Sequence, residues 1–574
     1  MANNNKPKGK GVPAKNRQQP PSYKPAAQSL SLFENLNNWF NKREKNITLI
    51  IFICSGLFSI LLFQARMDIG GDDSGYLERA YNFIHKGIFP SYQGPLYPIV
   101  LSIFMIPFGI NIILLKILSL LFNIVGLYFF YRAFKDRIPA MVFYPVFFIT
   151  GINSFILNYA SLTYSEAIFM CLQYMFLFYF FRLIDNVEDA DTMPAKENYK
   201  YWLIPGLLVF LMAITKNVAI ISMGAIVLYF ILNKQYRSIL YMFGAFLVFE
   251  IPLLVLQKVF LKTQNQWGAQ SNILMLKDPY DASKGNETIP GFFTRFFQNC
   301  DDYISKRFFE IVGLRSDESV RNYKPMEGDN LNWFVIFIVA LCVFILYRII
   351  KSKNKYMMIT FLYAISIMVA SFFVLQTRWD QPRIIMICVP ILLMTLFYGL
   401  YDLFKKGAWG FQFILFMVIV FFAIAGAATT LGKAKKNLPI LSKNLHGDIL
   451  YGYTPDWINY LKMSRWCADS LPKDAKVAVR KSSMSFIYAN GREFFPVYRV
   501  YSTNADSLLS YFRTNKVDYI MLPSLRINPD KNTGDVITTM QFMVSPIYKK
   551  YPQKLKFIHR EGTEEFADLY QVLY

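Results

Sequence analysis

ITLIIFICSGLFSILLFQARMDIGGDDSGYLERAYNFIHKGIFPSYQGPLYP, residues 47–98, decides how the rest of the chain is read. Its first run, 47–64, is apolar and long enough to cross a bilayer. Lys42, Arg43 and Lys45 precede it. Basic flanks stay cytoplasmic, so the run delivers residue 65 to the outer face. Two glycines then lead into Asp72 and Asp73, followed by Tyr76, Ala80, Tyr81, Phe83 and Ile84 at helical spacing and a stop at Gly87. This pattern predicts an amphipathic helix on the membrane surface, headed by two carboxylates. Carboxylates are favoured at a helix N-terminus as caps and by the helix dipole. Capping is therefore one reading of Asp72 and Asp73, and acid–base chemistry is the other.

The remaining chain carries more such runs. Of 574 residues, 54% are hydrophobic and 17% charged, where a soluble protein carries about 25% charged residues. A soluble globular enzyme is excluded. The excess of 61 Lys and Arg over 39 Asp and Glu gives a net charge of +22. Much of it sits in short loops between apolar runs, where it fixes orientation, so a nucleic-acid partner is not expected. The segment 95–109 holds three prolines and is short for a span, which suits an interfacial or re-entrant helix. Without it, the predicted spans are 47–64, 110–131, 138–154, 165–183, 201–215, 217–232, 236–256, 332–350, 356–375, 384–402 and 410–430. This arrangement keeps the basic loops cytoplasmic.

The expected fold class is thus a polytopic α-helical membrane protein of about 11 spans with a C-terminal extracytoplasmic α/β domain. Residues 1–45 read as a disordered basic cytoplasmic tail, 46–431 as the transmembrane domain with outer loops 65–94 and 257–331, and 432–574 as the α/β domain. Within that domain 476–480, 494–500 and 516–523 read as strands, and 457–471 and 505–515 as amphipathic helices. Six scattered Cys show no metal spacing, and three His are too few for a His-rich metal site.

Further polar residues fall at the same predicted outer face: Ser165 and Glu166, Lys216 and Asn217, and Arg378, Asp380 and Arg383. For any one of them snorkelling to the headgroups is a sufficient explanation. Their one-sidedness together with Asp72 and Asp73 is not required by a transport pathway, and suits chemistry at a lipid headgroup.

The acidic pair with Tyr76 and Ala80, then the Pro-Leu-Tyr-Pro helix closing on Phe108-Gly109, resembles the first outer loop of GT-C class glycosyltransferases. These include the protein O-mannosyltransferases and the lipid A aminoarabinose transferase. The similarity continues through Ser165-Glu166, Thr215-Lys216 and the Arg378–Arg383 turn before Pro390. It implies a GT-C-like membrane enzyme that moves a sugar from a polyprenyl-phosphate donor to an acceptor hydroxyl on the extracytoplasmic face, with inversion. By position, Asp72 matches the general base and Asp73 the second acid, and the two could exchange roles. Lys216, Arg378 and Arg383 would bind the donor phosphate. Tyr76 would help position the acceptor. Glu166 would either do the same or hold a divalent metal ion with Asp73. The implied partners are a polyprenyl-phosphate-linked sugar, an acceptor lipid, glycan or protein, and membrane lipids. The implied location is the cell inner (plasma) membrane, multi-pass, with a cytoplasmic N-terminus. The competing reading is a lipid flippase or solute transporter of the cell envelope. Against it, no internal repeat is found and the longer runs read as free of mid-span charge.

Overall fold

The computed structural model describes residues 31–186, 195–263, 272–279, 284–321, 323, 332–526 and 537–574. Residues 1–30 of the expected tail lie outside the described residues, as do parts of the loop 257–331.

The chain is a multi-pass helical membrane protein. Among the described residues, seven helices are long and apolar enough to cross a membrane. An eighth span is the pair Ala140–Ile152 and Ser154–Ala160, bent by 47°. The bend falls at Asn153, whose side chain leaves the first helix and accepts hydrogen bonds from Phe155 and Ile156 N–H, capping the second. The expected spans 201–215, 217–232 and 384–402 correspond to the shorter apolar helices Tyr201–Ala213, Asn217–Leu232 and Val389–Phe404. Leu96–Phe108 has 13 residues, about 20 Å at 1.5 Å per residue, so it falls short of a span as its prolines suggest.

Helix Glu166–Asn186 is the centre of the bundle, with 83% of its apolar window buried in protein, against 17% for Glu44–Leu61 and for Tyr236–Val259. The charge that opens it, Glu166, therefore faces protein rather than lipid.

Two expectations need correction. Residues 32–42 are not a disordered tail. They form helix Leu32–Lys42, started by a capping box between Ser31 and Glu34. Its Phe33 is buried and stacks on Tyr401 at 5.0 Å, and burial of one apolar face orders the segment. Nor does the helix of the last span end at 431, where the α/β domain was expected to begin. Helix Trp409–Leu445 runs unbroken for 37 residues, because KAKKNLPILSKN carries no glycine and its one proline does not end the helix.

The C-terminal part is a five-stranded sheet. With β1 (Ile88–Phe89) and β2 (Lys262–Thr263) forming a short parallel pair between the first loop and the 257–331 loop, the sheet comprises β3 (Val477–Val479), β4 (Phe495–Pro496), β5 (Tyr519–Pro523), β6 (Leu555–Glu561) and β7 (Ala567–Val572). Their order is β4-β3-β5-β7-β6. Strands β3, β4 and β5 are parallel and β7 runs antiparallel to both neighbours. Ala478, Val497, Leu508, Phe512, Ile520 and Met543 form the separate core of this part. The strands and helices expected from 457–523 are present, and the β6–β7 hairpin adds an edge that the sequence reading did not include.

Candidate active site

The first-loop helix, Asp72–Lys86, begins at Gly71, whose φ of +85° requires glycine. Gly94 (φ +107°) makes the second close approach: a Cβ there would lie 2.3 Å from the Thr215 carbonyl oxygen. The same turn is fastened by the Leu96 N–H donating to Ile214 O at 3.0 Å. The first loop is thereby pressed against the residue before Lys216.

The two acids that open the helix differ. Asp73 is fully buried, and its oxygens accept from Ser74 N–H at 2.7 Å and Asp68 N–H at 2.8 Å. Asp72 pairs through Oδ2 with Arg383. Its side chain is 34% exposed, and Oδ1 makes no hydrogen bond among the described residues. Burial pushes the Asp72 carboxyl upward, but the adjacent Arg383 guanidinium outweighs it and leaves the carboxyl below its ordinary value. Burial pushes Asp73 up to about 7 despite the charge of Lys116.

Arg383 also approaches Glu166 Oε1 at 3.7 Å, and Lys216 Nζ donates to the same oxygen at 2.7 Å. Glu166 Oε2 is buried without a hydrogen-bond partner among the described residues. Asp72, Glu166, Lys216 and Arg383 thus form one cluster, an alternation of two carboxylates and two cations. Tyr76 anchors the helix to it, with its hydroxyl donating to Ser165 Oγ at 3.0 Å. Arg378 does not join. It lies 3.2 Å from Asp278 with more than half its side chain exposed.

The expected metal pair, Asp73 and Glu166, does not fit a cation. Both Asp73 oxygens are held by backbone N–H groups, and Lys216 and Arg383 already neutralise Glu166. No group of three or more His, Cys, Asp or Glu suited to a metal occurs among the described residues.

Three cations were missed by the sequence reading. Lys116, inside helix Ile112–Phe134, is fully buried and donates to Gln64 O at 2.8 Å and to Arg66 O. It lies in the second turn of its helix, and a lysine within an apolar run was the available signal; Glu250, near the middle of helix Tyr236–Val259, contradicts the reading that the longer runs lack mid-span charge. Arg79 stacks over Tyr76 at 4.6 Å and donates to Gln93. Lys481, from the C-terminal part, donates to Gly70 O at 2.9 Å and Ile69 O at 3.2 Å. Beside it Ser483 and Ser74 hydroxyls meet at 2.9 Å.

Two expected outcomes follow for this scaffold. Lys481→Met removes the cation that ties the carbonyls before Asp72, at a cost of about 1.5 kcal/mol for a charged hydrogen bond. Amide exchange over residues 68–75 should then quicken by about ten-fold, while the core of the C-terminal sheet keeps its protection. For Asp73 the folded carboxyl, at about 7, binds its proton more tightly than the unfolded one at 3.8. Its contribution to stability therefore falls as pH rises from about 4 to 7, and the full cost of a buried carboxylate is present above 7. Asp73→Asn should flatten the dependence of Tm on pH between 5 and 8, as read by thermal unfolding; an unchanged slope would show that another group titrates there.

No protein-family model and no curated protein matches the sequence. The fold does have solved counterparts. The archaeal oligosaccharyltransferase AglB of Archaeoglobus fulgidus, in complex with an inhibitory peptide and a dolichol-phosphate, aligns with a TM-score of 0.52 at 12% identity, over 92% of this chain and 74% of its own. ArnT of Cupriavidus metallidurans, bound to undecaprenyl phosphate, aligns with a TM-score of 0.52 at 12% identity, over 91% of this chain and 97% of its own. The fold is therefore one that this chain shares with these two solved structures over nine tenths of its length.

Proposed function

We propose that this protein is a membrane glycosyltransferase that moves a sugar from a polyprenyl-phosphate donor to an acceptor hydroxyl at the extracytoplasmic end of the bundle. The observation that carries the reading is the pairing of Asp72 with Arg383 inside the Glu166–Lys216 cluster. It brings a partly open carboxylate, ionised at neutral pH, beside two cations. The fold agrees with it, since the two solved counterparts hold dolichol-phosphate and undecaprenyl phosphate.

In this reading the acceptor hydroxyl attacks the anomeric carbon as its bond to the phosphate oxygen breaks, with inversion. Asp72 takes the hydroxyl proton, which a carboxylate in reach can do as the new bond forms. The polyprenyl phosphate leaves with one more negative charge. Arg383 and Lys216 stand where fixed positive charge would stabilise it. Arg383 then exchanges Asp72 for the phosphate, which frees the second carboxylate oxygen. In this reading Glu166, whose Oε2 is buried and unpartnered among the described residues, accepts from a hydroxyl of the sugar or the acceptor. Arg378, exposed and paired with Asp278, takes no part in the resting cluster. The basic loops put the N-terminus inside, so the cluster and the C-terminal sheet share the outer side.

The test is release of free polyprenyl phosphate from a panel of polyprenyl-phosphate sugars by purified protein in detergent. Release supports the reading and names the sugar. Vectorial movement of the intact lipid in vesicles, without release, would instead support a flippase.

A further inference from the structure

Away from the carboxylate cluster, a cavity of about 290 Å³ opens between the helices Glu44–Leu61, Ser154–Ala160 and Trp409–Leu445. Among the described residues three cations line it, Arg66, Lys433 and Lys436, against a single carboxylate, Asp317. Lys433 Nζ reaches Asp317 only at 3.9 Å and lies 3.6 Å from the centre of the Phe155 ring. Lys436 makes no ion pair among the described residues, and Arg66 is spent on a carbonyl, that of Gly452. Glu310 also acts on Lys433 but is paired with Arg307, so among the described lining residues one carboxylate against three cations leaves an excess of two positive charges, which calls for an anion.

The level of the cavity says where that anion comes from. Helix Trp409–Leu445 has 37 residues, about 55 Å at 1.5 Å per residue, against about 30 Å of hydrocarbon. Its apolar part ends at Leu431, so Lys433 and Lys436 stand where the helix leaves the bilayer. A volume near the lower end for ligand sites suits a headgroup rather than a whole ligand. Tyr159, on the cavity wall, packs against Tyr164 at 5.5 Å, and Arg383 lies 4.9 Å from the Tyr164 ring. Two aromatic rings therefore separate this cavity from the carboxylate cluster.

We propose that this cavity is a second anion site, which takes the phosphate ester of an anionic membrane lipid. It is distinct from the donor-phosphate cations Arg383 and Lys216, and its test does not depend on sugar transfer. In the proposed function it would seat an anionic lipid next to the reacting groups.

The experiment is native mass spectrometry of the full chain in detergent, titrated separately with phosphatidylglycerol, phosphatidylcholine and inorganic phosphate. The wild type should prefer phosphatidylglycerol over phosphatidylcholine. At about a factor of five per basic side chain at a lipid surface, Lys433→Gln/Lys436→Gln should lose about thirty-fold in phosphatidylglycerol affinity. Lys436→Gln alone, at an exposed position that the fold does not need, should lose about five-fold. Lys435→Gln, a neighbouring lysine outside the cavity, should bind as the wild type does. Equal binding of the two lipids by the wild type, or undiminished binding by both cavity variants, overturns the site. Inorganic phosphate bound as tightly as phosphatidylglycerol overturns the lipid source. Loss of transfer in Asp72→Asn, with lipid binding unchanged, separates this site from the catalytic reading.

Discussion

Asp72→Asn is expected to lower the rate of sugar transfer by about 10²–10⁴-fold, the usual contribution of a positioned general base, while the protein still folds into the membrane. The substitution keeps the shape of the side chain and leaves an amide oxygen to accept from Arg383, so the pairing in the cluster is weakened rather than lost. What disappears is proton affinity. The carboxylate is the one acid of the first-loop pair with a free oxygen, since both oxygens of Asp73 are occupied by backbone N–H groups. The paired variant Asp73→Asn makes the comparison decisive. Removing a buried carboxylate that braces the turn before the helix should show chiefly in stability and its pH dependence. The measurement is initial rate of polyprenyl phosphate release for the two variants beside thermal unfolding. Transfer by Asp72→Asn within about ten-fold of the wild type would sink its assignment as base.

Arg383→Gln is expected to cost about 10²–10³-fold, comparable with removing one preorganised donor from a developing anion. Its second effect distinguishes it from simple misfolding. Burial on its own drives the Asp72 carboxyl upward, and the Arg383 charge reverses that. Without Arg383 the base needs a higher pH to ionise, so the acid limb of the pH–rate profile should move to higher pH in the variant. In the wild type, where the carboxyl lies below its ordinary 3.8, transfer should show no limb from Asp72 above about pH 4. An unshifted limb in Arg383→Gln would mean that Arg383 does not control the base. Arg378→Gln is the matching control, since its partner is Asp278 at the exposed edge; it should lose little, as exposed ion pairs contribute about 0–1 kcal/mol.

Much of the fold was legible in the chain because hydropathy and helical period are properties of short windows. The runs from 47–64 to 410–430 each meet a helix, three of them shorter than a full span. The tail was misread for a related reason. In residues 32–42 Leu32, Phe33, Leu36, Trp39 and Phe40 recur at helical spacing behind a Ser31–Glu34 capping box, a local signal outweighed in the reading by the polar residues before it, and Phe33 then packs on Tyr401, a partner far along the chain. The lysines after residue 432 were read as the end of the helix as well as of the apolar run, but the helix continues past them to Leu445.

The candidate site divides in the same way. By itself the sequence determined that a pair of acids heads an amphipathic helix in the first loop, and that Glu166, Lys216 and Arg383 fall at the same end of the spans. These statements need only run lengths and the sign of the flanking charges. It left the two acids interchangeable. Only the tertiary structure separated them, by bringing Arg383 to Asp72 across 311 positions and burying Asp73 on the turn it braces. Tertiary structure likewise sent Arg378 to Asp278, and carried Lys481 back 411 positions to the carbonyl of Gly70. The physical reason is that a pattern along the chain fixes which face a residue occupies, whereas which charge neutralises which is decided by the packing of helices that are distant in sequence.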